Sequence, residues 1–388
     1  MVTNLPPRCM PYWNRYEEAK SIKEKIAAIE ELIACIPKHK GTEKLLKDLK
    51  MKLAKLRAEL LKETERKQKT KPVFSVSKKG DAQVVLIGTP SSGKTSLLNA
   101  ICNASYPVGV PTQRPQEGIF KWEGCKFQIV DLPPILCHDI NRTPNGRAIA
   151  GIAYNADLIG LVIDTSQSVD WQLDVLVTAL SDANIALRSP PPVRIRRTKR
   201  GGIIVLGSDF SPFSVEELKE ILASYRIHNC VLEFYGRTSE YDLSLALNPR
   251  IVFKKAIIIA TKLDMAQDKE AVINRIKLWL KNAHIEAHVV PFSIYHRECV
   301  DVLGRAIFES LNLIRVWTKS NGIVRRDRAI VLRSPATIKD VCERIHSIFV
   351  KRFRYAVIER EGDRIRRRHV GLDYEVKDGD IVTIYLRD

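Results

Sequence analysis

The sequence predicts an α/β protein: a mostly parallel sheet covered by helices, preceded by a helical segment and followed by a compact β-rich module. Three observations carry this expectation. From Gln83 onward, short apolar runs of strand length alternate with helical patterns. A glycine-rich pattern, GTPSSGKT, joins the first such run to the first helical one. Polar motifs close the runs VVLIG, KFQIVD and AIIIATKLD, at the strand ends where doubly wound sheets bind ligands.

Taken in order, residues 1–80 should form a helical hairpin and a basic linker. Ile22, Ile26, Ile29, Ile33 and Ile36 share one helical face, as do Leu46, Leu49, Leu53, Leu56 and Leu60. PKHKG at 37–41 breaks between them, and RKQKTKPVFSVSKKG reads as the linker. The nucleotide domain is expected over 81–171 and again over 251–322. Between them, residues 172–250 read as a small α/β insertion containing SPPPVRIRRTKRGG, a strand (IIVL), a helix (SVEELKEILASYRI) and a strand (CVLEFYG). Residues 323–388, from RRDRAIVL to DGDIVTIYLRD, read as a separate β-grasp-like module.

Composition narrows the function classes. The 388 residues suffice for two or three domains with their own cores, and no apolar run approaches the ~18 residues of a membrane span. The N-terminus lacks the order of a secretion signal. Eight cysteines are scattered without a CxxC pair, so neither a zinc site nor a disulfide framework is expected, and a reduced cytosolic setting fits. Sixty-three basic against 45 acidic residues give +18, which favours a polyanionic partner over a merely solvated surface.

Gly88, Thr89, Pro90, Ser91, Ser92, Gly93, Lys94 and Thr95 match GxxxxGK[ST] in full, between a strand and a helix that begins through Ser96. Glycines let backbone N–H groups turn inward as an anion nest, and the helix adds its positive end. Lys94 supplies a point charge between β- and γ-phosphates, and Thr95 a hydroxyl for Mg²⁺. Asp131, ending KFQIVD, is the candidate second Mg²⁺ ligand. Three residues on, where nucleotide switches use a glycine N–H for the γ-phosphate, stands Pro134, which has none. Thr261-Lys262-Leu263-Asp264 is similar to the guanine-reading NKxD. Asp264 would accept from guanine N1 and N2, the Lys262 stem would lie along the base, and Thr261 should tether the phosphate loop more loosely than asparagine. Ser293, in VVPFSIY, is a candidate for the loop that closes over the base.

With these residues in view, the chain resembles the developmentally regulated GTP-binding protein family, in the Obg-related branch of translation-factor GTPases. The resemblance runs through KLLKDLKMKLAKLRAELL, GDAQVVLIGTPSSGKTSLLN, KRGGI, ILASYRIHN, TIKDVCERIHSIFVKRFRYA and HVGLDYEVKDGDIVTI. The C-terminal pieces resemble the TGS domain that closes this family. The resemblance implies a P-loop GTPase that binds GTP and GDP with Mg²⁺, with potassium as a further candidate cation. It implies a cytoplasmic monomer, away from membranes, working with ribosomes or RNA and an accessory regulatory protein. It places Thr112, in YPVGVPT, as the switch threonine for Mg²⁺ and γ-phosphate, so that Lys94 and Thr112 are the catalytic candidates. Ile135 occupies the position of the water-orienting glutamine in many GTPases, so slow intrinsic hydrolysis is expected.

For RNA, the candidates are Arg196, Arg197, Lys199 and Arg200 beside Arg194 in the insertion, and Arg366, Arg367 and Arg368 beside Arg364 in the last module. Lys351, Arg352 and Arg354 precede the latter group. The linear sequence pairs no aromatic signature with them, so base readout is not expected. Two other readings stand beside the leading one. One is a nucleotide-binding ribosome or RNA scaffold with negligible hydrolysis, favoured by Pro134. The other is an ATP-binding protein, which the carboxylate of Asp264 argues against.

Overall fold

The computed structural model describes residues 9–19, 22–37, 42–69, 74, 76–320, 323–360 and 367–387. Its chain divides into two compact units, residues 1–73 and 74–388. The larger contains β1 (Ala82–Gly88), α4 (Lys94–Cys102), β2 (Gln116–Trp122), β3 (Cys125–Asp131), α5 (Gly146–Asn155), β4 (Leu158–Asp164) and α6 (Val169–Asp182). After an insertion come β10 (Ala256–Thr261), α9 (Lys269–Asn282), β11 (Ala287–Phe292) and α10 (Glu298–Ser310). The six strands lie in the order β11-β10-β4-β1-β3-β2, all parallel except β2 against β3. Both faces of β1, β4 and β10 are covered, which is why their sequences are apolar throughout rather than alternating. Val85, Ile87, Leu161 and Ile258 point toward α5, α6 and α9, while Val84, Leu86, Val162 and Ile259 point toward α4 and α10. The carboxyl ends of β1, β3, β4, β10 and β11 therefore meet on one rim, and every nucleotide motif of the sequence falls there.

The expected start of the insertion at 172 falls inside α6, whose Leu173, Leu176 and Leu180 belong to the main core. The neck lies later, where β5 (Ile185–Ala186) pairs with β9 (Val252–Phe253). Between them β6 (Val193–Arg197), β7 (Ile203–Leu206) and β8 (Cys230–Phe234) form a sheet in the order β6-β8-β7. One of its faces packs on α7 (Val215–Ser224) and α8 (Glu240–Leu247), each opened by a serine capping box.

The C-terminal module starts at β12 (Leu313–Ser320), ahead of the expected 323. It continues through β13 (Ile323–Arg333), β14 (Ala336–Thr337), α11 (Ile338–Ile345), α12 (Ser347–Lys351), β15 (Phe353–Glu359), β16 (Arg368–Val370), β17 (Glu375–Val376) and β18 (Ile381–Leu386). Its sheet runs β13-β12-β18-β15-β16 and grasps α11 through Ile338, Val341 and Cys342. Three arginines fasten it to carboxylates at the amino-terminal rim of the large sheet. Arg333 reaches Asp157 at 2.7 Å and Arg344 reaches Asp81 at 3.3 Å. Arg315 bonds Glu123 and also Asp378 at 2.8 Å, with its guanidinium 4.7 Å from the Phe308 ring.

Among the described residues the N-terminal unit has three helices rather than the expected two: α1 (Met10–Glu18), α2 (Ile22–Cys35) and α3 (Glu43–Lys69). The last extends past the expected linker start at 66. Cys9 and Cys35 form a disulfide between the start of α1 and the end of α2, around which Leu32, Ile36 and Leu49 pack. This corrects the expectation that the cysteines carry no disulfide; twenty-six residues separate the two, and neither spacing nor context marks them as partners. No described helix is long and apolar enough to cross a membrane.

Candidate functional site: a phosphate and base pocket

The loop after β1 wraps a cavity of about 270 Å³ lined by Pro90 to Ser96, by Val108 to Thr112, by Pro134 and by Lys262. Gly88 is dictated by close approach: a Cβ there would lie 2.5 Å from Ser92 Oγ and 2.6 Å from Val162 O. Gly93 has φ +88°, the left-handed conformation glycine adopts without strain, and it opens α4. Lys94 is 5% exposed, and its ammonium has three donors matched by three acceptors. These are Gly88 O at 3.2 Å, Thr89 O at 2.9 Å and Ser92 Oγ at 3.3 Å. Burial pushes this lysine down to about 8, with Asp131 opposing the shift. Thr89, another residue of the loop, turns its hydroxyl inward to Gln172 Oε1 at 3.2 Å.

Two hydroxyls converge on the carboxylate at the end of β3. Thr95 Oγ1 donates to Asp131 Oδ2 at 2.7 Å, Thr112 Oγ1 reaches the same oxygen at 3.4 Å, and the hydroxyls stand 3.3 Å apart. Asp131 is fully buried, and among the described residues its Oδ1 has no hydrogen-bond partner. Burial raises its pKa against the pull of Lys94, Thr95 and Thr112. An orphaned carboxylate oxygen flanked by two hydroxyls is a hard, all-oxygen donor set suited to Mg²⁺. The three metal candidates named from the sequence are thus brought together.

Past Asp131 the chain is committed to the core. Leu132 and Ile135 are fully buried, and the Ile135 N–H donates to Gly88 O at 3.2 Å. Ile135 therefore stands away from the pocket in both chemistry and direction. Pro134 lines the cavity and offers no N–H.

The candidate base-reading motif starts at the end of β10, which β4 separates from β1. Thr261 Oγ1 shares its hydrogen between Ser92 O at 2.7 Å and Ile163 O at 3.0 Å, so the tether expected to loosen is present. Lys262, at φ +57°, pairs with buried Asp164 at 2.7 Å. Asp264 is exposed in the short 3-10 turn that follows, and Ser293 is buried just past β11, the strand paired with β10.

Two site residues escaped the sequence reading. Asp164, the last residue of β4, holds Lys262 and accepts from Ser166 N and Oγ. Gln172 on α6 accepts from Asp164 N at 2.9 Å and donates to Asp164 O at 2.8 Å, besides receiving Thr89. The signal available was modest: a carboxylate ending an apolar run, and a glutamine on the apolar face of a helix.

The RNA candidates do not gather in one place. Arg196, Arg197, Lys199 and Arg200 are exposed on β6 and the turn after it, in the insertion. Arg367 and Arg368 are exposed around β16, with Arg367 paired to Glu359 at 3.0 Å. Arg364 and Arg366 lie outside the described residues.

Three family profiles match the chain. Residues 83–188 match the 50S ribosome-binding GTPase, 200–313 the C-terminal region of the MMR_HSR1 domain, and 314–386 the TGS domain. GTP-binding protein 1 of Schizosaccharomyces pombe is 33% identical over 374 residues, covering 94% of this chain and 99% of the relative. The developmentally-regulated GTP-binding protein 1 homolog of Dictyostelium discoideum is 30% identical over 379 residues, covering 94% and 99%. Among solved structures, the YchF GTPase of S. pombe aligns at a TM-score of 0.48 and 14% identity, covering 80% of this chain and 99% of that one.

Proposed function

The chain belongs to the developmentally regulated GTP-binding protein family of Obg-related GTPases with a TGS domain, and from that premise we propose that it is a Mg²⁺-dependent GTPase of low intrinsic turnover that works on ribosomes or RNA in the cytoplasm. The observation that carries the reading is the convergence of Thr95 and Thr112 on the buried, half-unpartnered carboxylate of Asp131 beside the Lys94 cradle.

In this reading Lys94 exchanges loop carbonyls for β- and γ-phosphate oxygens, and the N–H groups from Ser91 to Thr95 supply the remaining donors. Thr95, Thr112 and Asp131 would hold Mg²⁺, which spreads the negative charge of the phosphates during transfer. Asp264 accepts from the guanine edge, where adenine would leave its carboxylate without donors. Lys262, steered by Asp164, lays its stem along the base, and Ser293 closes the far side. Thr261 couples base and phosphate sites through Ser92.

Low turnover follows from two residues. Ile135 is apolar and buried, so it cannot orient the attacking water, and Pro134 cannot donate to the γ-phosphate. A ribosome, potassium or an accessory protein would then supply the missing positioning and charge. Multiple-turnover GTP hydrolysis, with and without ribosomes and potassium, tests this against Lys94→Ala. Turnover equal to that variant in every condition would leave a non-hydrolysing scaffold, and equal affinity for ATP and GTP would remove the role given to Asp264.

A further inference from the structure

Sequence order hides an arrangement that the register of the C-terminal sheet creates. On the face away from α11, β18 presents Tyr385 and Thr383, β15 presents Tyr355 and Val357, and β16 presents His369. Tyr355 pairs directly with Tyr385, and their rings stack at 4.6 Å and 19°. The His369 ring lies on the other side of Tyr355, at 4.9 Å and 35°. Three rings from three strands thus form one row, stacked at Tyr355–Tyr385 and tilted at Tyr355–His369. Its outer members are open: Tyr385 is 43% exposed, and His369 is exposed on β16, where the sheet ends.

Cations gather at the same end of these strands. Arg354 stands over the Tyr355 ring at 5.9 Å. The Arg387 N–H donates to Arg352 O at 2.7 Å, which sets those two residues side by side next to the Tyr355–Tyr385 pair. Arg352, Arg354 and Arg387 are exposed, and among the described residues none of them makes an ion pair. Unneutralised arginines beside an unfinished aromatic stack match one kind of polyanion. Phosphates would meet the guanidinium groups, and flat bases would continue the stack on the free faces of Tyr385 and His369. A duplex satisfies only the first half of this, because its bases are already stacked and paired.

We propose that this face of the TGS module binds unpaired RNA, with Tyr385 and His369 as base-stacking groups and Arg352, Arg354 and Arg387 as phosphate contacts. The proposal deepens the ribosome or RNA reading above and rests on it. It assigns recognition to bases as well as to backbone charge.

The test uses the full chain and fluorescence anisotropy with three labelled probes: a short single-stranded oligouridylate, an abasic strand of the same length, and a duplex. The single strand should bind roughly tenfold more tightly than the abasic strand, the order expected for one stacked base. Tyr385→Ala, at an exposed position, should reduce that difference severalfold, His369 retaining the rest, without altering affinity for the abasic strand. Tyr385→Phe, which keeps the ring, should preserve it, and Arg354→Glu should weaken both strands together. Equal binding of base-bearing and abasic strands, insensitive to Tyr385→Ala, would overturn stacking while leaving a backbone-binding role. Failure of every probe to bind would remove the RNA reading and this proposal with it. If Tyr385→Ala weakened ribosome pelleting but no oligonucleotide affinity, the face would belong to a ribosomal protein and the proposal would fall. GTP affinity of each variant, expected unchanged, separates these outcomes from damage to the nucleotide pocket.

Discussion

The two walls of the nucleotide pocket are held by different means. On one side the phosphate loop is fixed by backbone approach and buried polar bonds: Gly88 against Val162 O, Lys94 on three acceptors, Thr261 across to Ser92, Thr89 back to Gln172. On the other side stands the 108–112 segment, with Val108 and Val110 60% and 63% exposed, joined to the site through the Thr112 hydroxyl. Beside it Pro134 has given up its donor. Under the proposed function, phosphate capture would therefore rest on many mutually supporting groups, while sensing of the γ-phosphate would rest on few, with Thr112 foremost among them.

That contrast can be broken at several points, the largest effect first. Lys94→Ala should lower affinity for GTP and GDP alike by roughly 100-fold, because it removes charge-assisted bonds worth ~1.5–3 kcal/mol each. Titration with fluorescent nucleotides reads this, and a loss under about threefold would mean the loop backbone alone suffices. Pro134→Gly should act on the other wall. A restored N–H raises the GTP-to-GDP affinity ratio by roughly tenfold, the value of one hydrogen bond to a charged acceptor. An unchanged ratio would show that position 134 does not face the γ-phosphate. Thr261→Val keeps shape and deletes the tether, so both nucleotides should weaken about fivefold, with their ratio constant. A changed ratio would connect the tether to sensing rather than capture. Asp164→Asn frees Lys262 and should weaken guanine nucleotides about threefold while leaving tripolyphosphate binding intact, since a partly exposed ion pair is worth about 1 kcal/mol or less. Equal losses for both ligands would place Asp164 in the fold rather than in base recognition.

What could be read from the sequence divides along similar lines. The loop, the strand ends and the order of elements are local features, written in contiguous residues, and 82–102 was legible almost residue by residue. Asp164 and Gln172 were not, because their significance comes from β4 and α6 being laid against β1. The inward turn of Ile135 comes from its packing in the core beneath β1, which no spacing reports. The insertion was placed too early because the polar start of α6 (SVDWQLD) resembles a break, whereas the prolines at 190–192 mark the end of the core pattern. α1 is short and lacks an apolar period, and the Cys9–Cys35 bond joins residues 26 apart that only the packing of α1 on α2 brings together. The Tyr385–Tyr355–His369 row of rings exists only through antiparallel register, so a linear search for aromatics beside arginines passes over it.

The fastening of the last module has a consequence of scale. Asp81, Asp157 and Glu123 all sit where the parallel strands begin, while the phosphates belong where those strands finish. Seven residues of β1 separate the two, a span of about 23 Å at ~3.3 Å per residue. The anchorage and the nucleotide thus occupy opposite ends of a rigid ruler whose length is set by one strand. A change at the fastening is therefore separated from the phosphate loop by the whole length of the sheet, and could reach it only through the packed strands between.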